Sequence, residues 1–206
     1  MIFSHEHNFL FVHIPKVAGT SIQKALQPYA PVKPKDRVSK LRSRVNLVNR
    51  NKPIYFPVHA SWDYAQKRLG TELYNKMFKF AFVRNPWDRL VSSYHYILEN
   101  SSHKRHGKIN ALDSFAAYVE YEIRRNKFLQ CGMVTSCGDL KVDYIGKFEN
   151  LEKDFRYVCE RIGVEYNLPH VNQSPHTKYK DFYDDRLVDI VAKHWSNEIR
   201  LFDYSF

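Results

Sequence analysis

Phe9-Leu10-Phe11-Val12-His13-Ile14-Pro15-Lys16-Val17-Ala18-Gly19-Thr20-Ser21-Ile22 runs from an apolar strand straight into a Lys/Gly/Thr/Ser turn and then a helix. β-Forming residues bounded by Pro read as a buried strand, and Ser21-Ile22-Gln23-Lys24-Ala25-Leu26 opens an apolar repeat of helical period. The first N–H groups of such a helix have no intrahelical acceptor. Those donors, the positive end of the helix dipole, the hydroxyls of Thr20 and Ser21 and the ammonium of Lys16 together suit a phosphate-like group. Gly19 lets the backbone approach that group closely. A nucleotide-hydrolysing P-loop is written G-x-x-x-x-G-K-[ST], whereas here Lys16 precedes Gly19 and the strand end carries no Gly. An ordinary strand-to-helix turn with a capping Thr or Ser is the competing reading of this segment by itself.

A second strand-turn-helix follows in Lys79-Phe80-Ala81-Phe82-Val83-Arg84-Asn85-Pro86-Trp87-Asp88-Arg89-Leu90-Val91-Ser92-Ser93-Tyr94. Pro86 sits where a first helical turn tolerates it, Asp88 suits the positive end of the dipole, and Leu90, Tyr94, Ile97 and Leu98 fall on one helical face. Arg84 emerges at the carboxyl end of the strand, where open α/β sheets bind ligands. A nucleotide triphosphatase usually places a magnesium-binding Asp there. Arg-Asn in that position suits a second anion instead, with Ser92 two turns along the helix.

These two segments carry a resemblance. Pro15-Lys16-x-x-Gly19-Thr20-Ser21 resembles the 5′-phosphosulfate loop of sulfotransferases, and Arg84-Asn85-Pro86-x-Asp88-Arg89-x-x-Ser92-x-Tyr94 resembles their 3′-phosphate motif. The likeness is to the carbohydrate, Golgi-type branch and its bacterial relatives, and extends through Asp143-Tyr144-Ile145-Gly146-Lys147-Phe148-Glu149-Asn150-Leu151 to Asn172-Gln173-Ser174. It implies metal-independent transfer of a sulfuryl group from 3′-phosphoadenosine 5′-phosphosulfate (PAPS) to a hydroxyl or amine, on a P-loop-like nucleotide fold. By the same resemblance Pro15, Lys16, Val17, Ala18, Gly19, Thr20 and Ser21 hold the 5′-phosphosulfate, Arg84 and Ser92 the 3′-phosphate, and Ser174, Thr177 and Lys180 neighbour the nucleotide. Val17-Ala18 stands where many relatives have Thr-Ala, a change that leaves the backbone donors in place. Lys16 would stabilise the leaving phosphate oxygen as the O–S bond breaks.

Composition sets the outer limits. The 206-residue chain has the length of one domain, 1–206, with a real core. Its 44% hydrophobic and 15% aromatic content excludes a disordered chain, and no apolar run reaches a membrane span. No signal peptide is read in the first residues, where Ser4-His5-Glu6-His7 interrupts the apolar run. A start so close to the phosphosulfate loop suggests either a soluble, cytoplasmic enzyme of bacterial type or the catalytic fragment of an anchored one. Cys131, Cys137 and Cys159 form no metal-ligand set. Cys131 and Cys137 are near enough to pair, though reduced thiols suit a cytosolic chain better.

A net charge of +10 attracts anionic partners. Eight Lys or Arg face a single acid, Asp36, between Lys33 and Lys52. This is either an acceptor-recognition segment for an anionic or phosphorylated substrate or a solvated basic face. Nucleic acid is not expected, because no binding motif accompanies the charge. The acceptor implied is a sugar or another anionic substrate, and the oligomeric state is unreadable.

Ile54-Tyr55-Phe56-Pro57-Val58-His59 reads as a short strand ending in His59, the leading candidate for the base that removes the acceptor proton. Related carbohydrate sulfotransferases carry a His in a similar position between the two motifs; a structural His is the alternative. His13 belongs to the strand before the loop and is the weaker candidate. Ser61 or Asp63 is placed to cap the next helix. Glu99 to Lys108 reads as a basic loop, Leu112 to Phe128 as a helix with Phe115, Val119 and Ile123 on its apolar face, and Val142 to Phe148 as a strand. Glu149 is read as structural. Leu151 to Ile162, capped by Asn150, and Asp184 to Trp195 are the remaining helices. Alternation of strands and helices predicts one α/β domain with a central parallel sheet flanked by helices. Two other classes compete with the sulfotransferase reading. A P-loop-type kinase or NTPase would need a magnesium carboxylate, and a non-catalytic polyanion binder would leave two separate phosphate motifs unexplained.

Overall fold

The structure is a computed structural model that describes residues 1–31, 54–127, 129–169 and 178–206. In chain order its elements are β1 (Ile2–Ser4), β2 (Phe9–Val12), α1 (Gly19–Leu26), α2 (Trp62–Leu69), α3 (Thr71–Lys76), β3 (Phe78–Val83) and α4 (Pro86–Glu99). There follow α5 (His106–Asn110), α6 (Phe115–Arg125), α7 (Cys131–Val134), β4 (Thr135–Ser136), β5 (Asp139–Leu140), β6 (Tyr144–Lys147), α8 (Leu151–Ile162), α9 (Asp185–His194) and α10 (Ser196–Leu201). Two compact units contain them: Met1–Phe82 with Gly132–Val171, and Val83–Cys131 with Asn172–Phe206. The fold is mixed α/β, with a mostly parallel central sheet flanked by helices.

The first unit is built on a four-stranded sheet of order β1-β2-β3-β6. All of Phe9, Leu10, Phe11 and Val12 are fully buried, as the continuous apolar run of β2 requires of a strand covered on both faces. β2 and β3 pair in parallel, Phe9 opposite Phe78 and Phe11 opposite Phe80, and stack a ladder of rings with Phe11 and Phe80 5.3 Å apart. β1 adds an antiparallel edge, Ile2 opposite Phe11, through a turn in which Asn8 takes a left-handed φ of 50°. The sequence reading missed this short edge strand, and the sheet is therefore mixed rather than purely parallel. Gly146 in β6 is required by packing, since a Cβ there would lie 2.5 Å from the Phe82 ring.

In the second unit, helices α4, α6 and α9 close around Trp87, Leu90, Ile97, Tyr118, Val119, Leu187, Val191 and Trp195. Each has a side-chain cap that sets where it begins: Asn85 accepts from the Trp87 N–H at 3.0 Å, Ser114 from Ala117 at 3.2 Å and Asp184 from Leu187 at 2.7 Å. The expected basic loop Glu99 to Lys108 is shorter than read, because α5 begins at His106 and buries Ile109. The helix read over Leu112 to Phe128 is confined to Phe115–Arg125, closed by Asn126 in the left-handed conformation. In the first unit, α8 starts at Leu151 as expected, yet the Asn150 side chain makes no cap; Asp154 instead takes the Lys147 N–H at 2.7 Å. Cys131, Cys137 and Cys159 form no disulfide. Among the described residues no helix is long and apolar enough to cross a membrane.

Candidate functional site

β2 ends at Val12, and α1 begins only seven residues later, at Gly19. Between them Lys16 and Ala18 both adopt positive φ, 70° and 59°. Non-glycine residues rarely accept that conformation, which costs energy that the surrounding fold must offset, and such outliers cluster at ligand clamps. The fold holds the loop through Ile14 and Val17, both fully buried. Ala18 occupies the N-cap position of α1 and offers no capping side chain, and the first N–H groups of a helix find no acceptor within the helix itself. Alternation of left-handed residues with the start of a helix turns successive amides inward, the concave arrangement that takes anions. Lys16 is half-buried, Thr20 exposed and Ser21 buried. An anion of the phosphate or sulfate class fits this cradle, with Val17 offering only its backbone.

Gly19 has a second reason to be glycine. The His13 imidazole lies against it, and a Cβ on Gly19 would come within 1.9 Å of His13 Nε2. His13 is 5% exposed and its ring stacks on Phe11 at 5.6 Å, so it has little room to yield. Gly19→Ala is therefore expected to lower the thermal midpoint through an overpacking cost of about 1–3 kcal/mol. Adding His13→Ala should recover part of that loss. Equal midpoints for Gly19→Ala and the unaltered chain would show that the contact is not restrictive.

His59 does not end a strand. Ile54 to Pro57 belongs to no strand of the described sheet, and Val58 and His59 form a turn. Pro53 and Pro57 remove backbone donors that a ladder would need, and the apolar character of the segment is spent on packing Phe56 edge-on against Phe3, 6.1 Å away. The exposed His59 ring meets the His13 ring edge-on at 4.7 Å, and its Nδ1 lies 3.0 Å from the His13 carbonyl oxygen. A carbonyl can only accept, so Nδ1 carries the proton and donates, which leaves Nε2 of the neutral ring as the proton acceptor. His13 thus ties His59 to the anion cradle by its carbonyl and touches Gly19 by its ring. Nearby, Ser61 stands before α2 without capping it; its hydroxyl donates to Asp63, and that hydrogen bond chiefly holds the Asp63 carboxyl below the usual carboxylate range.

In the second unit Arg84 follows β3 and is 5% exposed. Its guanidinium meets Asp88 with Nε at 2.7 Å and Nη2 at 2.8 Å, a bidentate pair that fixes the plane of the fork. Ser92, 4% exposed, comes one turn after Asp88 on α4, so Asp88 and Ser92 share the face toward which Arg84 is anchored. Lys180 lies in a short 3₁₀ turn, Tyr179–Phe182, with its ammonium 5.1 Å from the centre of the Phe206 ring. Ser174, Thr177 and the basic segment Lys33 to Lys52 fall outside the described residues. Two buried residues that sequence reasoning passed over are Gln130, whose side chain bonds both backbone groups of Arg84, and Glu198, which accepts from Gln130. Neither carries a motif, and they stand far apart in the chain. Among the described residues no group of three or more His, Cys, Asp or Glu is placed to hold a metal ion.

The sequence matches the family described as "Sulfotransferase family" over residues 1–205. Carbohydrate sulfotransferase 14 of Danio rerio is 25% identical over 193 residues, covering 82% of this chain and 49% of that protein. Carbohydrate sulfotransferase 11 of Mus musculus is 22% identical over 244 residues, covering the whole of this chain and 65% of that protein. This chain therefore spans less than two thirds of the length of either relative. The structure of mouse sulfotransferase SULT7A1 complexed with PAP superposes with a TM-score of 0.60 at 14% identity, over 98% of this chain and 91% of that one, a likeness of fold. With its anion cradle at the head of α1 and a match running through residue 205, the chain belongs to the sulfotransferase family.

Proposed function

We propose that this chain, as a single sulfotransferase domain, transfers a sulfuryl group from PAPS to an acceptor hydroxyl or amine, with a carbohydrate as the acceptor class. The observation that carries the reading is the loop 15–21, with left-handed Lys16 and Ala18 ahead of a helix whose N-cap residue, Ala18, has no capping side chain. The carbohydrate sulfotransferases among its relatives support the acceptor class, and a net charge of +10 favours anionic sugars by raising their local concentration.

PAPS, when bound, supplies the sulfuryl group and a 5′-phosphate as its leaving group. Pro15 opens the loop without a backbone donor, Lys16 to Ser21 would grip the phosphosulfate through backbone N–H groups and the Thr20 and Ser21 hydroxyls, and Arg84 with Ser92 would take the 3′-phosphate. Lys16 brings its ammonium to the oxygen on which negative charge grows as the O–S bond breaks, an interaction stronger in the transition state than in the ground state. His59 Nε2 takes the acceptor proton as the new O–S bond forms, its ring orientation held by the hydrogen bond from Nδ1 to the His13 carbonyl.

The direct test is thermal stabilisation in EDTA by the product nucleotide 3′-phosphoadenosine 5′-phosphate (PAP), compared with AMP and, in a magnesium buffer, with ATP. Ligands that bind only the native state raise its stability as the logarithm of concentration over dissociation constant. PAP is expected to give the largest shift. A larger shift with Mg-ATP, or equal shifts with PAP and AMP, would overturn the assignment.

A further inference from the structure

We infer that Gln130 is a positioning residue for the 3′-phosphate site, setting Arg84 from behind through its side-chain amide; the inference rests on the reading that Arg84 takes the 3′-phosphate. Gln130 is fully buried. Its Oε1 accepts the Arg84 backbone N–H at 2.9 Å and its Nε2 donates to the Arg84 carbonyl at 2.9 Å. One side chain thereby satisfies both backbone groups of one residue, as a neighbouring strand would, at the point where β3 has ended. A primary amide has two N–H donors. The second goes to Glu198 Oε2 at 3.0 Å.

Glu198 is 1% exposed and accepts from the Gln130 side chain, the Gln130 backbone N–H and the Cys131 backbone N–H, the last at 3.2 Å. Its carboxylate is also the leading charge that supports the Arg89 guanidinium, whose pKa burial lowers. The Arg84-Asn85-Pro86 turn is consequently gripped at its start by hydrogen bonds from Gln130 and, one helical turn beyond, by the charge opposite Arg89. Nothing about Gln130 reaches outward to a ligand. Its effect on one passes through the position of Arg84, and small displacements of a charged, bidentate group are costly to binding.

That role separates from general structural support by which nucleotide is affected. PAP and AMP differ only in the 3′-phosphate, so a displaced Arg84 weakens PAP alone, whereas a damaged fold weakens both. Gln130→Met keeps volume and removes the hydrogen bonds. Titration calorimetry is expected to show PAP binding weakened about tenfold and AMP binding within about twofold of the unaltered chain. Arg84→Ala serves as the reference. If the unaltered chain binds PAP and AMP equally, the 3′-phosphate reading itself fails. If it prefers PAP and Arg84→Ala abolishes the preference while Gln130→Met retains it, the positioning role fails and the site survives.

Should Gln130→Met not fold, the unaltered protein labelled with ¹⁵N gives the same decision. The Gln130 side-chain amide resonances, assigned by triple-resonance methods, are expected to move on saturation with PAP and to stay in place with AMP. Identical shifts with the two nucleotides would overturn the inference.

Discussion

Replacing Lys16 by Ala is expected to reduce sulfuryl transfer by about a hundredfold or more and to loosen the nucleotide as well. Both effects follow from the position of Lys16 in the loop rather than from its charge alone. Lys16 holds φ at 70°, and Ala has the same Cβ, so the backbone conformation costs as much in the variant as in the original. Val17 and Ile14, fully buried on either side, keep the loop in place. What disappears is the ammonium and its half-buried stem. On the proposed mechanism it would meet a phosphosulfate already negative in the ground state, so affinity should fall. As the O–S bond breaks, charge would accumulate on the bridging oxygen and the interaction would strengthen, so turnover should fall further. Purified protein, PAP titration and the rate of transfer from PAPS to a competent acceptor give both numbers. A variant within about threefold of the unaltered rate would remove Lys16 from the reaction, since loss of a transition-state donor costs far more than that.

The strand-loop-helix units on which these expectations rest were legible because two local signals coincide in each. Phe9 to Val12 and Phe80 to Val83 are unbroken apolar runs, which only doubly covered strands require, and each is followed by a turn whose residues fit a helix start. Pro86 at the first position of α4 is visible in the sequence, and so is the apolar stripe of that helix, Leu90 and Ile97 being fully buried. The segment before His59 misled for a physical reason. Its apolar residues read as a strand, but the Phe56 ring packs against β1 and α2 while the described backbone from Ile54 to Pro57 joins no ladder. The asparagine before α8 misled in another way, since the type of residue at a cap position does not decide which acceptor the backbone finds. Long-range contacts leave no local trace at all. Gln130 between Arg84 and Glu198 depends on how separate elements meet, and no period or motif reports it.

His59→Ala is expected to behave differently from Lys16→Ala, and the difference identifies the acceptor side of the reaction. His59 is exposed and stands in a turn, so removing its ring should change stability by no more than about 0.5 kcal/mol. Its single described hydrogen bond runs from Nδ1 to the His13 carbonyl, not to the amides of the phosphosulfate loop. PAP affinity should accordingly stay within about threefold, less than one kcal/mol. Transfer, by contrast, loses its proton acceptor and should fall by roughly 10²–10⁴. Asp63 is poorly suited to take over, because the Ser61 hydroxyl stabilises its carboxylate and thereby weakens it as a base. Comparing the two variants with one acceptor and one nucleotide titration separates binding from chemistry: Lys16→Ala loses both, His59→Ala only the second. An His59→Ala protein that transfers sulfuryl at the unaltered rate would show that the acceptor loses its proton to some other group, and that the hydrogen bond to the His13 carbonyl serves only to order the turn.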